Sequence, residues 1–319
     1  MIDSANTSLL FPGQGSQHTG MGRELYETFE EAREVFLTVD EVLQQNLSKL
    51  MFEGDANELT ATENAQPAIM AVSIAVLRVL LVQLRLSITS ICSVMAGHSL
   101  GEYSALCAAG VFSLENTAAL LRIRGNAMNK AASNIKGGMV ALIGADLENV
   151  EKMVESLRQF GLCEIANDNG AGQIVISGEM KAMERAVELA SQFSIKKAVQ
   201  LNVSAPFHSS LMTDAAITMQ KSLSQVVMSA PVVPVIANYS ASAVSDAEQV
   251  RSMLVKQVGG RVRWRETIEK CIRDYKIINF IEVGPGQVLT TLAKRMSSGI
   301  RVFNLDSPNS IERFVESIL

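Results

Sequence analysis

The chain has 319 residues, of which 48% are hydrophobic and 19% charged, and its formal net charge at pH 7 is -5. This composition supplies enough apolar material for one large domain or two ordinary ones, and it excludes a largely disordered chain. Because acidic residues outnumber basic ones, nucleic acid is not expected to be a general partner.

The cysteines and the apolar segments indicate the compartment. Four scattered cysteines include no C-x-x-C pair, which argues against a disulfide framework and favours a reducing environment. Residues 1–8 are neither basic nor apolar enough for a signal peptide. The most apolar stretch, 67–86, is interrupted by polar residues and is interpreted as a buried helix rather than a membrane span. We therefore expect a soluble, cytoplasmic protein without membrane contacts.

The first part of the chain alternates strand and helix patterns. A short apolar strand at 9–11 runs directly into the Gly-rich loop 12–17, and α/β proteins place ligand contacts in such loops. A second apolar strand at 90–96 is followed by a helix at 100–109, which Gly110 closes. Further helices are predicted at 23–37, 38–52, 66–84 and 114–132.

The pentapeptide Gly-His-Ser-Leu-Gly at 97–101 lies between the second strand and its helix. A G-x-S-x-G sequence in this context is typical of a nucleophile elbow, in which two glycines allow a tight turn that exposes the serine hydroxyl. Ser99 would then be the nucleophile, and the N–H of Leu100 would point to the place where an oxyanion forms. The alternative, a Gly-rich turn with an incidental serine, is disfavoured by the flanking strand and helix.

The middle of the chain carries a compact pattern of its own. Its elements follow the order strand, helix, strand, strand, helix, strand, which matches a ferredoxin-like unit. We predict a small subdomain at 135–203, inserted into a large α/β subdomain formed by 1–134 and 204–319. The polar, Gly-rich loop at 167–172 is expected to face the main site. The elements are predicted at 139–143, 147–160, 162–166, 173–177, 179–193 and 196–202.

The last third of the chain returns to the large subdomain. Strands are predicted at 232–237, 277–283 and 300–303, and helices at 287–296 and 310–319. Because strands alternate with helices, the predicted fold class is α/β, with a mostly parallel sheet that carries helices on both faces.

A serine nucleophile needs a base, and the chain contains three histidines. His98 adjoins Ser99, so its side chain projects in another direction, and His18 lies in a polar loop where it is expected to be solvated. His208 follows Pro206, which argues against a continued strand and favours a rigid loop suited to a catalytic base. Elimination therefore favours His208 over the alternative of an ordinary loop histidine.

The group that orients this base is not evident from the pattern. In hydrolases of similar architecture an acid lies between the serine and the histidine in the sequence. The candidates in that interval, such as Asp146 and Asp168, belong to the predicted small subdomain, and neither stands out. A backbone carbonyl would fix the imidazole tautomer equally well.

Arg124 lies on the apolar face of the predicted helix 114–132. A guanidinium there either snorkels to water or needs an anionic partner. If the helix packs beside the elbow, Arg124 becomes a natural receptor for a substrate carboxylate.

Five motifs occur along the chain: FPGQGSQ at 11–17, GHSLGE at 97–102, Arg124-Gly125 with Met128, FHS at 207–209 and EVGPG at 282–286. Their order and spacing resemble those of the malonyl-CoA:acyl carrier protein transacylase family, the acyltransferases of fatty acid and polyketide synthesis. The resemblance spans nearly the whole chain and implies a hydrolase-like large subdomain that carries a ferredoxin-like small one.

The resemblance implies roles for the matching residues. Ser99 would take the malonyl group as an ester, and His208 would act as its general base and later as the general acid. The main-chain N–H groups of Gln14 and Leu100 would form the oxyanion hole. Arg124 would bind the malonyl carboxylate.

Two further roles follow from the resemblance. The carbonyl that orients the base, often that of a glutamine in the family, is assigned to Arg263. Phe207 resembles the residue that marks malonyl-selective members, because its bulk leaves little room for an α-methyl branch. Selection against one methyl group is worth only about 1–3 kcal/mol, so a preference rather than exclusion is expected.

The implied reaction transfers the malonyl group from malonyl-CoA to the phosphopantetheine thiol of acyl carrier protein, by ping-pong chemistry and without a metal or redox cofactor. A free-standing chain favours fatty acid over polyketide synthesis, and a monomer is expected. The carrier protein is expected to be acidic, so its docking surface should be basic. Candidate docking residues are Lys196, Lys197, Lys256 and Arg261.

Two other functions remain open on the sequence alone. A serine hydrolase of acyl thioesters would use the same nucleophile and base, although an arginine on an apolar face favours an anionic acyl group. A non-catalytic docking subunit is disfavoured because Ser99 and His208 are both present.

Overall fold

The computed structural model describes residues 3–133, 135–203 and 205–318. The strands in these ranges are β1 (Thr7–Phe11), β2 (Val94–Gly97), β3 (Gly137–Ile143), β4 (Cys163–Gly170), β5 (Gln173–Glu179), β6 (Lys197–Gln200), β7 (Val235–Ala237), β8 (Ser242–Val244), β9 (Asn279–Val283) and β10 (Arg301–Leu305). The first α-helices are α1 (Arg23–Thr28), α2 (Glu30–Leu43), α3 (Leu47–Glu53), α4 (Ala56–Thr60), α5 (Thr62–Leu84), α6 (Leu100–Ala108) and α7 (Leu114–Ala132). The later ones are α8 (Leu147–Leu157), α9 (Met180–Leu189), α10 (Thr213–Ser224), α11 (Ala247–Gly259), α12 (Trp264–Asp274), α13 (Val288–Met296) and α14 (Pro308–Ile318).

The larger sheet has six strands in the order β10-β9-β1-β2-β7-β8. All neighbouring pairs from β10 to β7 are parallel, and β8 turns back antiparallel against β7. This confirms the predicted mostly parallel sheet. Because the strands run in one direction, the carboxyl ends of β1, β2 and β7 meet at one edge, where a ligand site is expected.

Helices cover both faces of the larger sheet, as predicted. Along β1, Leu9 and Phe11 face an apolar cluster shared with α2, α5, α6 and α7, whereas Leu10 faces a second cluster that contains Trp264 of α12 and Leu289 of α13. Alternate residues of a strand point to opposite faces, so β1 is buried from both sides.

Helix α5 is long and apolar enough to cross a membrane, yet 72% of its most apolar stretch is buried inside the protein. It packs against α2, α6 and α7. The interpretation of this stretch as a core helix is confirmed by its burial.

The smaller sheet has four antiparallel strands in the order β4-β5-β3-β6, with α8 and α9 packed on one face. The chain order β3-α8-β4-β5-α9-β6 is the predicted ferredoxin-like one. The division into subdomains at 134/135 and 203/204 stays a prediction, since its limiting residues Asn134 and Ser204 lie outside the described residues.

Strand β4 is longer than predicted, because most of the expected loop 167–172 belongs to it. Two register shifts interrupt its pairing with β5, at Ile165/Asn167 and at Asp168/Gly170. The segment also pairs with Val262, which lies between α11 and α12. There the Asp168 N–H donates to the Val262 carbonyl at 3.0 Å. Its polar residues resemble a loop in sequence because they face a polar site rather than solvent.

Helices α10, α11 and α12 have no counterpart among the predicted elements. Their buried residues nonetheless follow helical spacing, as in α12, where Trp264, Thr267, Ile268 and Cys271 are all buried. The predicted helices at 23–37 and 38–52 are divided differently, into α1, α2 and α3.

Candidate active site

Ser99 lies at the turn between β2 and α6, with φ 54° and ψ -109°. A Cβ added at Gly97 would lie 1.9 Å from the Gly101 carbonyl oxygen, and one at Gly101 would lie 2.2 Å from the Phe11 carbonyl oxygen. Only glycines therefore allow β2, α6 and the end of β1 to meet so closely. The turn holds Ser99 in a left-handed backbone conformation that costs about 1–3 kcal/mol.

The hydroxyl of Ser99 has two side-chain partners. Its oxygen lies 2.8 Å from His208 Nε2, and Arg124 Nη2 donates to it at 3.1 Å. The structure thus brings together the three side chains that the sequence singled out from segments far apart in the chain. A hydroxyl placed between a base and a cation is well suited to nucleophilic attack.

His208 is 5% exposed and is held by backbone carbonyls. Its Nδ1–H donates to the Gln257 carbonyl at 2.9 Å and to the Gly260 carbonyl at 3.2 Å. Because Nδ1 carries the proton, Nε2 has a lone pair that accepts the Ser99 O–H.

Both acids considered from the sequence are engaged elsewhere. Asp146 caps the first turn of α8 through Asn149 N–H, and Asp168 pairs with Arg265 Nε at 2.9 Å. The alternative of an orienting carbonyl therefore agrees with the geometry around His208.

The assignment of that carbonyl to Arg263 is wrong. Arg263 precedes α12 as its N-cap, so its carbonyl accepts from the N–H and the hydroxyl of Thr267 within the first helical turn. The carbonyls that face His208 belong to Gln257, in the last turn of α11, and to Gly260, which follows the helix. Helical carbonyls in the last turn lack i+4 partners, and the Gln257 carbonyl accepts a long bond of 3.4 Å from the Gly260 N–H. Gln257 and Gly260 take the role that the sequence gave to Arg263.

Burial is the main cause that lowers the pKa of His208 from 6.5 to about 3, and the positive charge of Arg124 lowers it further. The hydrogen bonds from Nδ1 to the two carbonyls partly oppose this shift. The imidazole is therefore neutral at physiological pH and available as a base.

Arg124 is 1% exposed, and its hydrogen-bond acceptors are neutral. Nη1 donates to Gln66 Oε1 at 2.7 Å, and Nη2 donates to Gln257 Oε1 at 2.9 Å. The guanidinium also lies 5.6 Å above the ring centre of Tyr103. Burial lowers its pKa, while the nearby Tyr103 and Glu102 side chains raise it. A buried cation held by amide oxygens beside the nucleophile favours an anionic acyl group.

The two expected oxyanion donors lie in two loops that line the cavity at Ser99, one after β2 and one after β1. The Leu100 N–H is the first of α6, and Gln14 follows β1 in a loop whose Gly13 packs closely against the His98 carbonyl. Within the described residues, neither main-chain N–H donates to a protein acceptor. Both therefore remain suited to a negatively charged oxygen at the serine.

A cavity of about 310 Å³ opens in front of these groups. Phe207, Met128 and Met139 give it apolar walls, and Asn167 of β4 brings the smaller sheet to the site. The remaining lining residues are Gln14, Gly15, Gln17, Thr60, His98, Ser99, Arg124, Leu201, Asn202, Val203 and His208.

The other two histidines do not contact the Ser99 hydroxyl. His18 is exposed, as expected. His98 is half-buried, and its Nε2 lies 2.9 Å from Asn169 Oδ1 on β4, so it links the elbow to the smaller sheet. Asn169 belongs to the segment that was expected to face the site.

Sequence reasoning missed three buried polar residues around the site, Gln66, Asn238 and Gln257. Asn238 follows β7 directly, and its side chain accepts from the Ser99 N–H and donates to the Gly97 carbonyl, both at 2.7 Å. A polar residue at the carboxyl end of a parallel strand was the available signal. For Gln257 the signal was a glutamine on the apolar face of α11, beside Leu254 and Val258.

A serine activated by histidine at the edge of an α/β sheet is machinery for acyl transfer. Comparison with known proteins agrees, because residues 9–303 match the acyl transferase domain family. The chain therefore belongs to this family and is an acyltransferase.

Its relatives narrow the class. The malonyl CoA-acyl carrier protein transacylase of Bacillus subtilis is 42% identical over 312 residues, covering 98% of this chain and 96% of the relative. The crystal structure of an acyl-carrier-protein-S-malonyltransferase from Bartonella henselae is 54% identical, with a TM-score of 0.94 over 98% of this chain and 99% of that one. A type II polyketide acyl carrier protein in complex with its malonyl-transacylase gives 35% identity and a TM-score of 0.93, over 98% and 99% of the two chains.

Proposed function

We propose that this protein transfers a malonyl group from malonyl-CoA to the phosphopantetheine thiol of acyl carrier protein, through a malonyl ester of Ser99, and so supplies fatty acid synthesis. One observation carries the proposal: His208 Nε2 and Arg124 Nη2 both lie within 3.1 Å of the Ser99 hydroxyl. A base and a receptor for a carboxylate thus converge on one nucleophile. The names of the relatives support the same substrates.

In the first half-reaction, His208 Nε2 takes the proton of the Ser99 hydroxyl as its oxygen attacks the thioester carbon. The carbonyl oxygen becomes an oxyanion, which the N–H groups of Gln14 and Leu100 stabilise. When the intermediate collapses, the C–S bond breaks, and the protonated His208 gives its proton to the departing CoA sulfur.

In the second half-reaction a thiol sulfur is the attacking atom and the Ser99 oxygen is the leaving atom. His208 takes the proton of the phosphopantetheine thiol, and the sulfur attacks the ester carbon of malonyl-Ser99. Collapse of the second intermediate releases malonyl-carrier protein and returns a proton to the Ser99 oxygen. The chemistry uses only these side chains and main-chain N–H groups, so the proposal requires no metal or redox cofactor.

Arg124 suits the malonyl group because its donors can change partners. Nη2 donates to the free Ser99 hydroxyl and to Gln257. Once the serine oxygen is part of an ester, the first of these N–H groups is available to the malonyl carboxylate two carbons away. Phe207 lines the same cavity and supports a preference for malonyl over methylmalonyl groups.

The remaining parts of the proposal concern partners and location. We propose a cytoplasmic monomer that binds neither nucleic acid nor membrane, and all four cysteines are free thiols, as a reducing compartment favours. We also propose that the acidic carrier protein docks on basic residues. Lys196, Lys197 and Lys256 are exposed, whereas Arg261 lies 3.7 Å from Glu266 and is the weakest of the four candidates.

Intact-protein mass spectrometry tests the function. After mixing with malonyl-CoA and no acceptor, the wild type should carry one malonyl group, and Ser99→Ala should carry none. Ser104→Ala is the matched control, because Ser104 is buried in α6, the helix that follows Ser99, and does not line the cavity. Addition of holo-acyl carrier protein should move the group to its thiol, whereas prompt release of free malonate would instead establish a thioester hydrolase.

A further inference from the structure

Ser99 and Glu102 form the S-x-x-E pattern of a capping box at the start of α6. In a capping box the serine hydroxyl accepts from the glutamate N–H, and the glutamate carboxylate accepts from the serine N–H. The structure has neither bond, because the Ser99 N–H donates to Asn238 Oδ1 and the Glu102 N–H donates to the Ser99 carbonyl. The Glu102 carboxylate is 2% exposed and turned towards other partners.

Glu102 Oε2 accepts two hydrogen bonds behind the nucleophile. Gln257 Nε2 donates at 2.8 Å, and the Asn238 N–H donates at 3.0 Å. Despite these bonds and the nearby charge of Arg124, burial raises the pKa of Glu102 from 4.5 to about 7. Folding stability alone does not explain a buried carboxyl group, because an apolar residue of similar volume often stabilises a protein equally well.

The carboxylate determines which way the Gln257 amide points. Gln257 Oε1 accepts from Arg124 Nη2, while Nε2 donates to Glu102 and, at 2.8 Å, to the Ser99 carbonyl. A guanidinium only donates, and Glu102 Oε2 acts as an acceptor here, since it also accepts from the Asn238 N–H. A reversed amide would therefore face a donor with its own donor and an acceptor with its own acceptor, so only one orientation satisfies both neighbours.

Gln257 also holds the base. Its main-chain carbonyl accepts from His208 Nδ1, so one residue supports Arg124 with its side chain and His208 with its backbone. The side chain of Gln257 therefore acts on Arg124, whereas the contact with His208 uses the helix backbone and does not depend on which way the amide points.

We propose that Glu102 is a positioning residue for acyl transfer, which fixes the Gln257 amide and thereby holds Arg124 in place to bind the acyl carboxylate. Glu102 does not line the cavity, so it acts without touching the substrate. The inference rests on the proposed function, since it assumes that Arg124 binds a malonyl carboxylate.

Glu102→Gln tests the proposal with little change of shape. The substituted amide has no charge and can turn its N–H₂ group towards Gln257. The Gln257 amide is then no longer held in a single orientation. At pH 8, above the pKa of about 7, Glu102 is ionised and a hydrogen bond to a charged group is lost, so kcat/KM for malonyl-CoA should fall by about ten- to a hundredfold. The loss for acetyl-CoA should be at least about tenfold smaller, since acetyl transfer does not use the Arg124 contact. Glu115→Gln, at an exposed acid on α7, is the matched control and should leave both rates unchanged.

A double-mutant cycle asks whether Glu102 acts through the amide. Gln257→Met keeps the length of the side chain and the main-chain carbonyl but removes the amide. Gln257→Met alone should lower kcat/KM for malonyl-CoA more than for acetyl-CoA, as Glu102→Gln does. When Glu102→Gln is added to Gln257→Met, kcat/KM for malonyl-CoA should fall by less than about a further threefold. Independent, multiplying effects of the two substitutions would overturn the proposal.

Thermal unfolding and the mass measurement separate the remaining outcomes. Equal losses for malonyl-CoA and acetyl-CoA in Glu102→Gln, with or without a lower unfolding temperature, would give Glu102 a general structural role and overturn the inference alone. If the wild type forms no malonyl-Ser99, both the proposed function and the positioning role of Glu102 are contradicted.

Discussion

At the residue scale, the site consists of charged or reactive atoms whose partners are neutral oxygens. Arg124 donates to two amide oxygens and a hydroxyl, and His208 donates to two carbonyls. Neutral partners keep the cation uncompensated for an anionic substrate and allow the imidazole to change charge during the reaction. An acid bonded to either group would reduce one of these capacities.

Arg124 should therefore decide the choice of acyl group. Arg124→Ala should lower kcat/KM for malonyl-CoA by about ten- to a hundredfold more than for acetyl-CoA, because a charged hydrogen bond is lost in a buried site. Arg124→Lys should restore only part of the malonyl rate, since an ammonium cannot form two parallel hydrogen bonds. Steady-state kinetics with both thioesters measure this, and equal losses for the two would make Arg124 structural.

Residues with distinctive chemistry were predictable from the sequence, whereas the amides around them were not. Ser99 was identified by its glycines and His208 by elimination. Gln257 contacts Arg124 across 133 positions of sequence, and no local pattern specifies such a pair. The wrong choice of Arg263 has the same origin, because the carbonyl at Gln257 is selected by where α11 ends in space.

At the scale of elements, the position of Arg124 depends on how closely α5 and α7 pack. A Cβ added at Gly125 would lie 2.5 Å from Glu63 Cα and 2.8 Å from Glu63 N. Backbone atoms cannot move aside as side chains do, so the next residue after Arg124 has to be glycine for the helices to approach. This contact joins the N-terminus of α5 to the middle of α7.

Gly125→Ala should destabilise the protein by about 1–3 kcal/mol, the usual effect of overpacking. It should also lower malonyl transfer more than acetyl transfer, because separating the helices displaces Arg124 from Ser99. Urea unfolding and the same kinetics measure the two effects. The control is Gly299→Ala, at a glycine with no atom near the added Cβ, which should be within about 0.5 kcal/mol of wild type. A Gly125→Ala protein as stable as this control would contradict the close-packing argument.

Regular elements were predictable where the apolar pattern is unbroken. The strands β1 and β9 are wholly buried, and their apolar runs predicted them. Strand β4 was cut short because Asn167 and Asn169 face the site, and their polarity resembles that of a loop. The end of this strand was therefore predicted wrongly, at a place where a functional surface interrupts the apolar pattern.

At the scale of the whole molecule, the buried Glu102 couples stability to pH. Its pKa is about 7 in the folded protein against 4.5 for the free side chain, so the folded state binds the proton more tightly. The resulting stabilisation is fully present below pH 4.5 and is lost as the pH rises through about 7. The linkage amounts to roughly 3 kcal/mol between these limits.

The difference in unfolding free energy between wild type and Glu102→Gln should therefore change with pH. The variant has no titrating group at this position, so it should gain on the wild type by up to about 3 kcal/mol between pH 4.5 and pH 8. Other groups, including His208, titrate in both proteins and cancel in the comparison. Urea unfolding at both pH values measures the change, and a constant difference would mean that the carboxyl ionises at its ordinary pKa in the folded state.

Ser99 shares its left-handed backbone conformation with its partner, since His208 also has a positive φ, of 55°. Glycine would adopt both conformations with little strain, but His208 is buried and donates to two carbonyls, so only at Ser99 does the fold alone favour glycine. Mutation towards stability and mutation towards turnover therefore act in opposite directions at position 99. A descendant released from its catalytic task would gain stability by glycine at 99, and that position would record that the task had been lost.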